Sequence, residues 1–361
     1  FKQKTAYEIG VRLVGSEMCI RDRSSSAQFL KEANLEALSK IDQSNRSDIM
    51  SFGFSSDDDI PTSFSLESFA VVSNQGNSSS CTGFAVANGA MTILYNLVNR
   101  HTGAHEQLVN RFDPYYIYCS LKDQDDMSCI SGGGCSCGSM INEALDLLVN
   151  YGCKKLFLFP DLDCGSTLNR NNLRDMSYMT GIYTIDDYVN LFEYKEEDGK
   201  YYKRVSIDQM KWCISRRNPI TAGIDVDKSF GALSSLNNKY SAREGFEGRH
   251  AVTIVGYDDN KYGGAFRILN SYGSDWGDGG YFWMTYEDFK SQGDVAYVIL
   301  QENWDTWRDP VTSSSGFYKG IAKDQDWTWE GHLDENRMFD GRGIVVDPDF
   351  TAAASFKNGL P

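Results

Sequence analysis

His250-Ala251-Val252-Thr253-Ile254-Val255-Gly256-Tyr257 is followed by Asp258-Asp259-Asn260-Lys261-Tyr262-Gly263-Gly264 and then by Ala265-Phe266-Arg267-Ile268-Leu269-Asn270. The outer runs are β-branched and aromatic, as buried strands are, and the run between them is built of turn residues. Folded as an antiparallel hairpin centred near Asn260, they set opposite each other residues whose numbers sum to about 520. His250 and Asn270 then meet at one end. A carboxamide beside an imidazole fixes the ring's orientation and tautomer, so the hairpin carries candidate chemistry as well as a fold.

Outward from the hairpin, Ile220–Val226, Tyr281–Thr285 and Val295–Leu300 also read as strands. The preceding half reads as helical. From Cys81 to about Arg100, Phe84, Ala87, Met91, Leu94 and Val98 recur at three- and four-residue steps and give one apolar face. Ser139 to Tyr151 is a second helix, capped by Ser139 and stopped by Gly152. Ser206-Ile207-Asp208-Gln209 opens a third as a capping box, and Pro219 ends it. Helices first and strands second is an α+β arrangement, a helical lobe facing an antiparallel β lobe across a cleft. Residues 185–205, charged and Tyr-rich, read as an exposed insertion.

Residues 1–23 read as translated sequencing adapter. Lys2–Glu8 and Leu13–Asp22 are the peptides that two common adapter sequences encode, with room for an index between them. On that reading the native chain begins near Ser24, and its own N-terminus is missing. Residues 24–59 are polar, end in the linker Ser55-Ser56-Asp57-Asp58-Asp59, and read as the tail of a propeptide or as an N-terminal extension. Residues 60–301 form the main domain, and 302–361 a C-terminal extension of unknown role.

Without the adapter, Lys+Arg falls to 30 and Asp+Glu to 47, a net charge of -17. Such a chain repels phosphate backbones and anionic bilayers, so neither nucleic acid nor a membrane is an expected partner. No apolar run approaches the roughly 20 residues of a spanning helix. Cys81, Cys119, Cys129, Cys135, Cys137, Cys153, Cys164 and Cys213 remain. Their clustering implies disulfides and an oxidising compartment. A zinc site from Cys129, Cys135 and Cys137 is the runner-up, without CxxC spacing to support it. His101 and His105, around Gly103, read as a solvated helix end before a metal pair. Asp258-Asp259-Asn260 reads as turn chemistry before calcium. Trp327-Thr328-Trp329 reads as a packed edge before a sugar-stacking surface. No metal or cofactor is expected.

Cys81 opens a helix, where unpaired N–H groups and the dipole favour a thiolate. Gln75 lies just upstream, and its amide can face a developing oxyanion beside the Cys81 N–H. Gln75, Cys81, His250 and Asn270 together therefore form a nucleophile, a base, an orienting group and an oxyanion donor.

Three blocks carry a family resemblance. Val72-Ser73-Asn74-Gln75-Gly76-Asn77-Ser78-Ser79-Ser80-Cys81 resembles the nucleophile segment of papain-like cysteine peptidases. Arg249–Tyr257 resembles the segment around their catalytic His. Asn270-Ser271-Tyr272-Gly273-Ser274-Asp275-Trp276-Gly277-Asp278-Gly279-Gly280-Tyr281 resembles their Asn-Ser-Trp-Gly block. The likeness covers roughly residues 60–300. It departs where Ser78 replaces a cysteine, Thr82 an aromatic and Tyr272 a tryptophan, and so resembles a divergent bacterial or protist branch. The resemblance implies a two-lobed fold and hydrolysis of peptide bonds through an acyl-enzyme on Cys81. It implies substrate-binding roles for Gly138 and Ser139 (a backbone-pairing pair), for Met140 and Ile141 (walls of the pocket for the second residue before the scissile bond), and for Arg249, Ala251 and Tyr272. Peptide or protein substrates, a monomer, and a secreted or lysosomal/vacuolar location are the matching expectations. An inactive papain-like binding protein and an exopeptidase are the alternatives.

Overall fold

The computed structural model describes residues 60–121, 135–156, 164, 182–197, 200–242, 245–301, 307, 317–321, 328–333, 339–347 and 350–356. The adapter-like segment, the expected propeptide tail and Cys129 lie outside the described residues.

In chain order, β1 (Ser63–Ser65) leads to α1 (Cys81–Asn99), α2 (Ala104–Val109), α3 (Pro114–Leu121) and α4 (Ile141–Asn150). Then come β2 (Cys153–Lys154), β3 (Ile182–Tyr183), β4 (Asp187–Asn190), and the hairpin β5 (Phe192–Glu197) and β6 (Lys200–Val205). After α5 (Ile207–Ser215) the chain is mostly strand: β7 (Ile220–Val226), β8 (Lys239–Tyr240), β9 (Gly248–Asp258), β10 (Ala265–Leu269), β11 (Tyr281–Thr285), α6 (Tyr286–Gln292) and β12 (Gly293–Leu300). The sheet order is β4-β12-β7-β9-β10-β11-β8, with β1 beside β9. All its pairings are antiparallel except β11 with β8. The α+β architecture read from the sequence is the one observed.

The α1 helix differs from its expected one-sided form. It is buried from Cys81 to Asn96, and its middle, Phe84–Met91, widens into π-helical turns. An all-round apolar helix of this kind belongs in a core. By length and composition alone it would suffice to cross a membrane, against the expectation that no such run exists; here it is 89% buried inside the fold. Gly89 permits the fit. A Cβ there would stand 2.0 Å from Thr253 Oγ1 on β9. Thr253 Oγ1 in turn donates to Ala85 O at 2.9 Å, so α1 lies directly on the sheet.

Cores form on both sides of that contact. The helical side packs Val86, Tyr95, Phe112, Tyr116, Leu145 and Leu148. The β side packs Ile224, Tyr240, Ile254, Phe266, Phe282 and Phe289. Burial of such side chains, at roughly 25 cal/mol per Å² of apolar surface, supplies the main driving force. Trp307, beyond the boundary expected at 301, is also buried in the helical side. Its Nε1 donates to Thr184 O at 2.9 Å. Further on, β13 (Phe317–Ile321), β14 (Thr328–Leu333), β15 (Phe339–Asp347) and β16 (Phe350–Phe356) form a separate antiparallel meander. Thr328 and Trp329 sit on β14; Trp327 lies outside the described residues.

Several local readings change. Met140, not Ser139, is the N-cap of α4, and its N–H donates to Glu143 Oε2 at 3.2 Å. Ser139 is buried, and its carbonyl is used instead by Thr82. Gly152, at φ 72°, does end the helix. Ser206 caps α5 as expected, accepting from Gln209 N at 3.2 Å. His101 is buried rather than solvated, near Asn96 and Glu106. Cys135 pairs with Cys164, which removes it from the zinc alternative, whereas Cys119, Cys153 and Cys213 are buried thiols. Among the described residues no group of three or more His, Cys, Asp or Glu gathers as a metal site. Asp258 Oδ1 accepts from Asn260 N at 2.8 Å, the expected turn bond, and Asp259 is held by Lys211 and Tyr286.

Candidate active site

Two chain segments meet where α1 begins. The approach to α1 runs antiparallel to the segment after β10: Gln75 N donates to Ser271 O at 2.8 Å, and Asn74 bridges to Tyr272. This contact carries Gln75 and Asn270 to the same place. Gln75 is 6% exposed and its side chain is held at both ends. Nε2 donates to Ser78 O at 2.6 Å, and Oε1 accepts from Ser271 Oγ at 2.5 Å. One hydrogen on Nε2 remains after the Ser78 bond.

His250 stands near the start of β9, buried, with Nε2 2.7 Å from Asn270 Oδ1. Because Oδ1 only accepts, Nε2 carries hydrogen and Nδ1 is the nitrogen left to exchange a proton. The expected pairing register is off by two residues: Leu269 faces Thr253, not Ala251, after a bulge between Arg267 and Ile268. A two-residue slip preserves the face. Asn270 leaves the strand at that point, with its N–H on Gly280 O, and its side chain turns back to the ring.

Aromatic rings enclose the imidazole. Tyr272 lies 5.1 Å away, centroid to centroid, and Phe230 5.4 Å. Trp276 packs on Tyr272 and Phe230 from behind, at 5.5 and 5.1 Å. Burial pushes the His250 pKa down to about 4, opposed by the Asn270 hydrogen bond. It pushes the Tyr272 hydroxyl up to about 12, so that ring is neutral.

Cys81 is fully buried at the first position of α1 and is in disulfide form in this structure. Its neighbour Thr82 donates to Ser139 O at 2.7 Å, which ties the start of α1 to the entry of α4. Between these walls and His250 lies a cavity that opens to solvent. Ser139, Met140, Ile141, Arg249 and Ala251, all singled out in the sequence, line it, with Thr82, Gly223, Asp294 and Val295 added. Gly138 does not line that cavity, and Tyr272 sits on the imidazole instead. Sequence reasoning missed Ser271, Phe230, Gly223 and Asp294. Ser271 was within reach, as the residue after Asn270. The others come from distant segments: the sheet joins Gly223 on β7 with Asp294 on β12, and Phe230 lies in a short helical turn after β7.

The family model for papain family cysteine protease matches residues 61–299. The chain belongs to that family. Papain-family relatives include fruit bromelain of Ananas comosus, 30% identical over 167 residues, which cover 46% of this chain and 42% of the bromelain. Macrodontain-1 of Ananas macrodontes is 29% identical over 181 residues, covering 50% of this chain and 74% of the relative. The chain thus spans less than half the length of the bromelain it matches. Among solved structures, xylellain, a cysteine protease from Xylella fastidiosa, superposes with a TM-score of 0.50 at 24% identity, over 68% of this chain and 88% of that one. That likeness is one of fold.

Proposed function

We propose that the chain is a cysteine peptidase with Cys81 as nucleophile, His250 as acid and base, Asn270 as the group that orients His250, and Gln75 as oxyanion donor. The observation that carries this reading is the 2.7 Å contact of His250 Nε2 with Asn270 Oδ1, which commits one ring nitrogen and leaves Nδ1 for the proton. Support also comes from the anchored Gln75 amide and from family membership.

The chemistry starts from reduced Cys81. The thiol proton passes to His250, giving a thiolate and an imidazolium. The thiolate forms a C–S bond to the peptide carbonyl carbon, and the C=O π electrons move onto oxygen. Gln75 Nε2–H and the Cys81 N–H hold that oxyanion. Its collapse breaks the C–N bond as His250 protonates the leaving amine, and a thioester remains. Water then gives a proton to His250 and attacks the thioester carbon. The acid departs and the thiolate and imidazolium are restored. Peptides or proteins are the substrates on this reading. The presence of all four groups favours an active enzyme over a binding protein that has lost the chemistry. The test is turnover of a fluorogenic peptide under thiol reductant: Cys81→Ala keeps the fold and loses all activity, and persistence of more than a trace refutes the assignment.

A further inference from the structure

The bulge in β10 has a buried cation on it. Arg267 faces Gly256 on β9, yet the next residue, Ile268, faces Ile254. Asn270 follows two residues later. A bulge re-aims the chain beyond it, and a one-residue slip in pairing turns every following side chain to the other face. Arg267 is buried, and its guanidinium is committed on every side. Nε and Nη2 donate to the two oxygens of Glu67 at 3.1 and 3.3 Å. Nη1 lies 2.9 Å from Asp278 Oδ2, a charge contact without an aligned N–H. The group also lies over the rings of Tyr281 and Trp283, at 4.9 and 5.2 Å. Glu67 belongs to the stretch after β1, and Asp278 to the loop that runs from Asn270 to β11. That loop holds Asn270 from behind: Asn270 N donates to Gly280 O at 2.9 Å, Gly280 N to Trp276 O at 2.8 Å, and Asp278 N to Tyr281 O at 2.7 Å.

We infer that Arg267 is a positioning residue for the His250–Asn270 pair: gripping Glu67 and Asp278 at once, it pins the bulge and the loop that together aim the Asn270 carboxamide at the imidazole. The effect on turnover rests on the peptidase reading above; the effect on the ring does not. Glu67 and Asp278 are partly exposed, at 35% and 43%, and pairs of that kind add little to global stability. Their use is geometric. The bidentate fork to Glu67 fixes the direction of the guanidinium as well as its charge. From there the same group reaches the turn on which the Asn270 backbone hangs. Without it the bulge and the turn are free to shift, and the 2.7 Å contact of Asn270 Oδ1 with His250 Nε2 opens more often. No reacting group is lost, so substrate binds as before and the chemical step slows.

Two readouts on Arg267→Gln test it. The first is solvent exchange of the His250 Nε2 hydrogen, followed by NMR in full-length protein that also carries Cys81→Ala, where the ring is neutral and that hydrogen is held by Asn270. Exchange is expected to be about tenfold faster than in Cys81→Ala alone, the scale of losing a charged hydrogen bond. The second is steady-state cleavage of a fluorogenic peptide by the reduced enzyme. There kcat is expected to fall by about tenfold or more with KM little changed, the mark of a misplaced group rather than a lost contact to substrate. Arg267→Lys keeps the cation without the fork and is expected to fall between the two proteins in both readouts. A folded Arg267→Gln with a lower melting point but with exchange and kcat as in the parent overturns the inference, because the role is then merely structural. Should Arg267→Gln fail to fold, Asp278→Asn, a change at a partly exposed side chain, decides: exchange faster and kcat lower by about two- to fivefold support the inference, and unchanged values overturn it. Faster exchange in Arg267→Gln with no turnover by the wild type refutes the peptidase and leaves the positioning role. Wild-type turnover with both readouts unmoved by Arg267→Gln refutes the role and leaves the peptidase.

Discussion

Ser271 donates its hydroxyl to Gln75 Oε1 at 2.5 Å, so the residue next to Asn270 also fixes which way the Gln75 amide faces. With Oε1 held by Ser271, Nε2 is turned to Ser78 O. Ser271→Ala leaves a buried carbonyl oxygen without its donor, at a cost of about 1–3 kcal/mol. It is expected to lower kcat by about tenfold with KM little changed, whereas Gln75→Ala lowers kcat by about 10²–10³, the effect of losing an oxyanion donor. Steady-state kinetics on both variants check the order; a Ser271→Ala enzyme as impaired as Gln75→Ala would show that the serine does more than orient.

His250 predicts a pH dependence whose sign can be worked out. In protein with no Cys81 thiolate, burial holds the imidazole at about 4, below an ordinary value near 6.5. Above pH 6.5 the ring is neutral in both folded and unfolded chains and costs nothing. As pH falls from 6.5 towards 4 the unfolded chain takes up a proton that the folded chain refuses, and stability drops, by up to on the order of 3 kcal/mol. Urea unfolding of Cys81→Ala against Cys81→Ala/His250→Gln across this range isolates the effect. On the proposed mechanism, a Cys81 thiolate in the reduced wild type pairs with the ring and reverses the shift, since an opposite charge favours the imidazolium. NMR titration is therefore expected to give a His250 pKa well above that of Cys81→Ala.

Tyr272 covers His250 with a smaller, more polar ring than the indole it replaces in the family pattern. Tyr272→Trp is expected to exclude water better from the His250–Asn270 hydrogen bond and to widen the pH–rate profile on both limbs. Phe230 and Trp276 stand close behind, so a melting curve accompanies the profile. A fallen melting point identifies a clash; an unchanged profile at an unchanged melting point shows that this aromatic does not screen the pair.

Lys154 and Asp113 form an ion pair that is almost wholly buried, with side chains 1% and 0% exposed. Lys154→Met strands the Asp113 carboxyl, whose pKa burial already raises. The expected loss is about 3–5 kcal/mol in chemical denaturation.

The fold and the meeting of His250 with Asn270 were legible because local signals agreed. The turn at Asp258–Gly264 and the strands beside it place His250 and Asn270 at one end whatever the exact register, since the slip between Leu269 and Thr253 is an even number of residues. Gln75 and Cys81 were legible through a helix start. Less legible were features set by packing across the chain. The α1 helix reads as one-sided, yet it is buried all round: the sheet meets it at Gly89, against Thr253, while Asn88, Thr92 and Asn96 are taken up by Val71, Phe112 and Phe69. Ser139 reads as a cap, yet Thr82 takes its carbonyl and Met140 opens the helix. Asp294 and Gly223 reach the cavity only through the neighbouring strands β12 and β7.

The central claim, an activated Cys81 paired with His250 in an open cleft, is tested most directly by labelling the reduced protein with a thiol-directed peptidyl epoxide and mapping the adduct by mass spectrometry. The expected result is one equivalent on the peptide that contains Cys81, lost in His250→Ala even though a small maleimide still reaches that thiol. Labelling on Cys119, Cys153 or Cys213, or equal labelling of Cys81 with and without His250, would contradict the account.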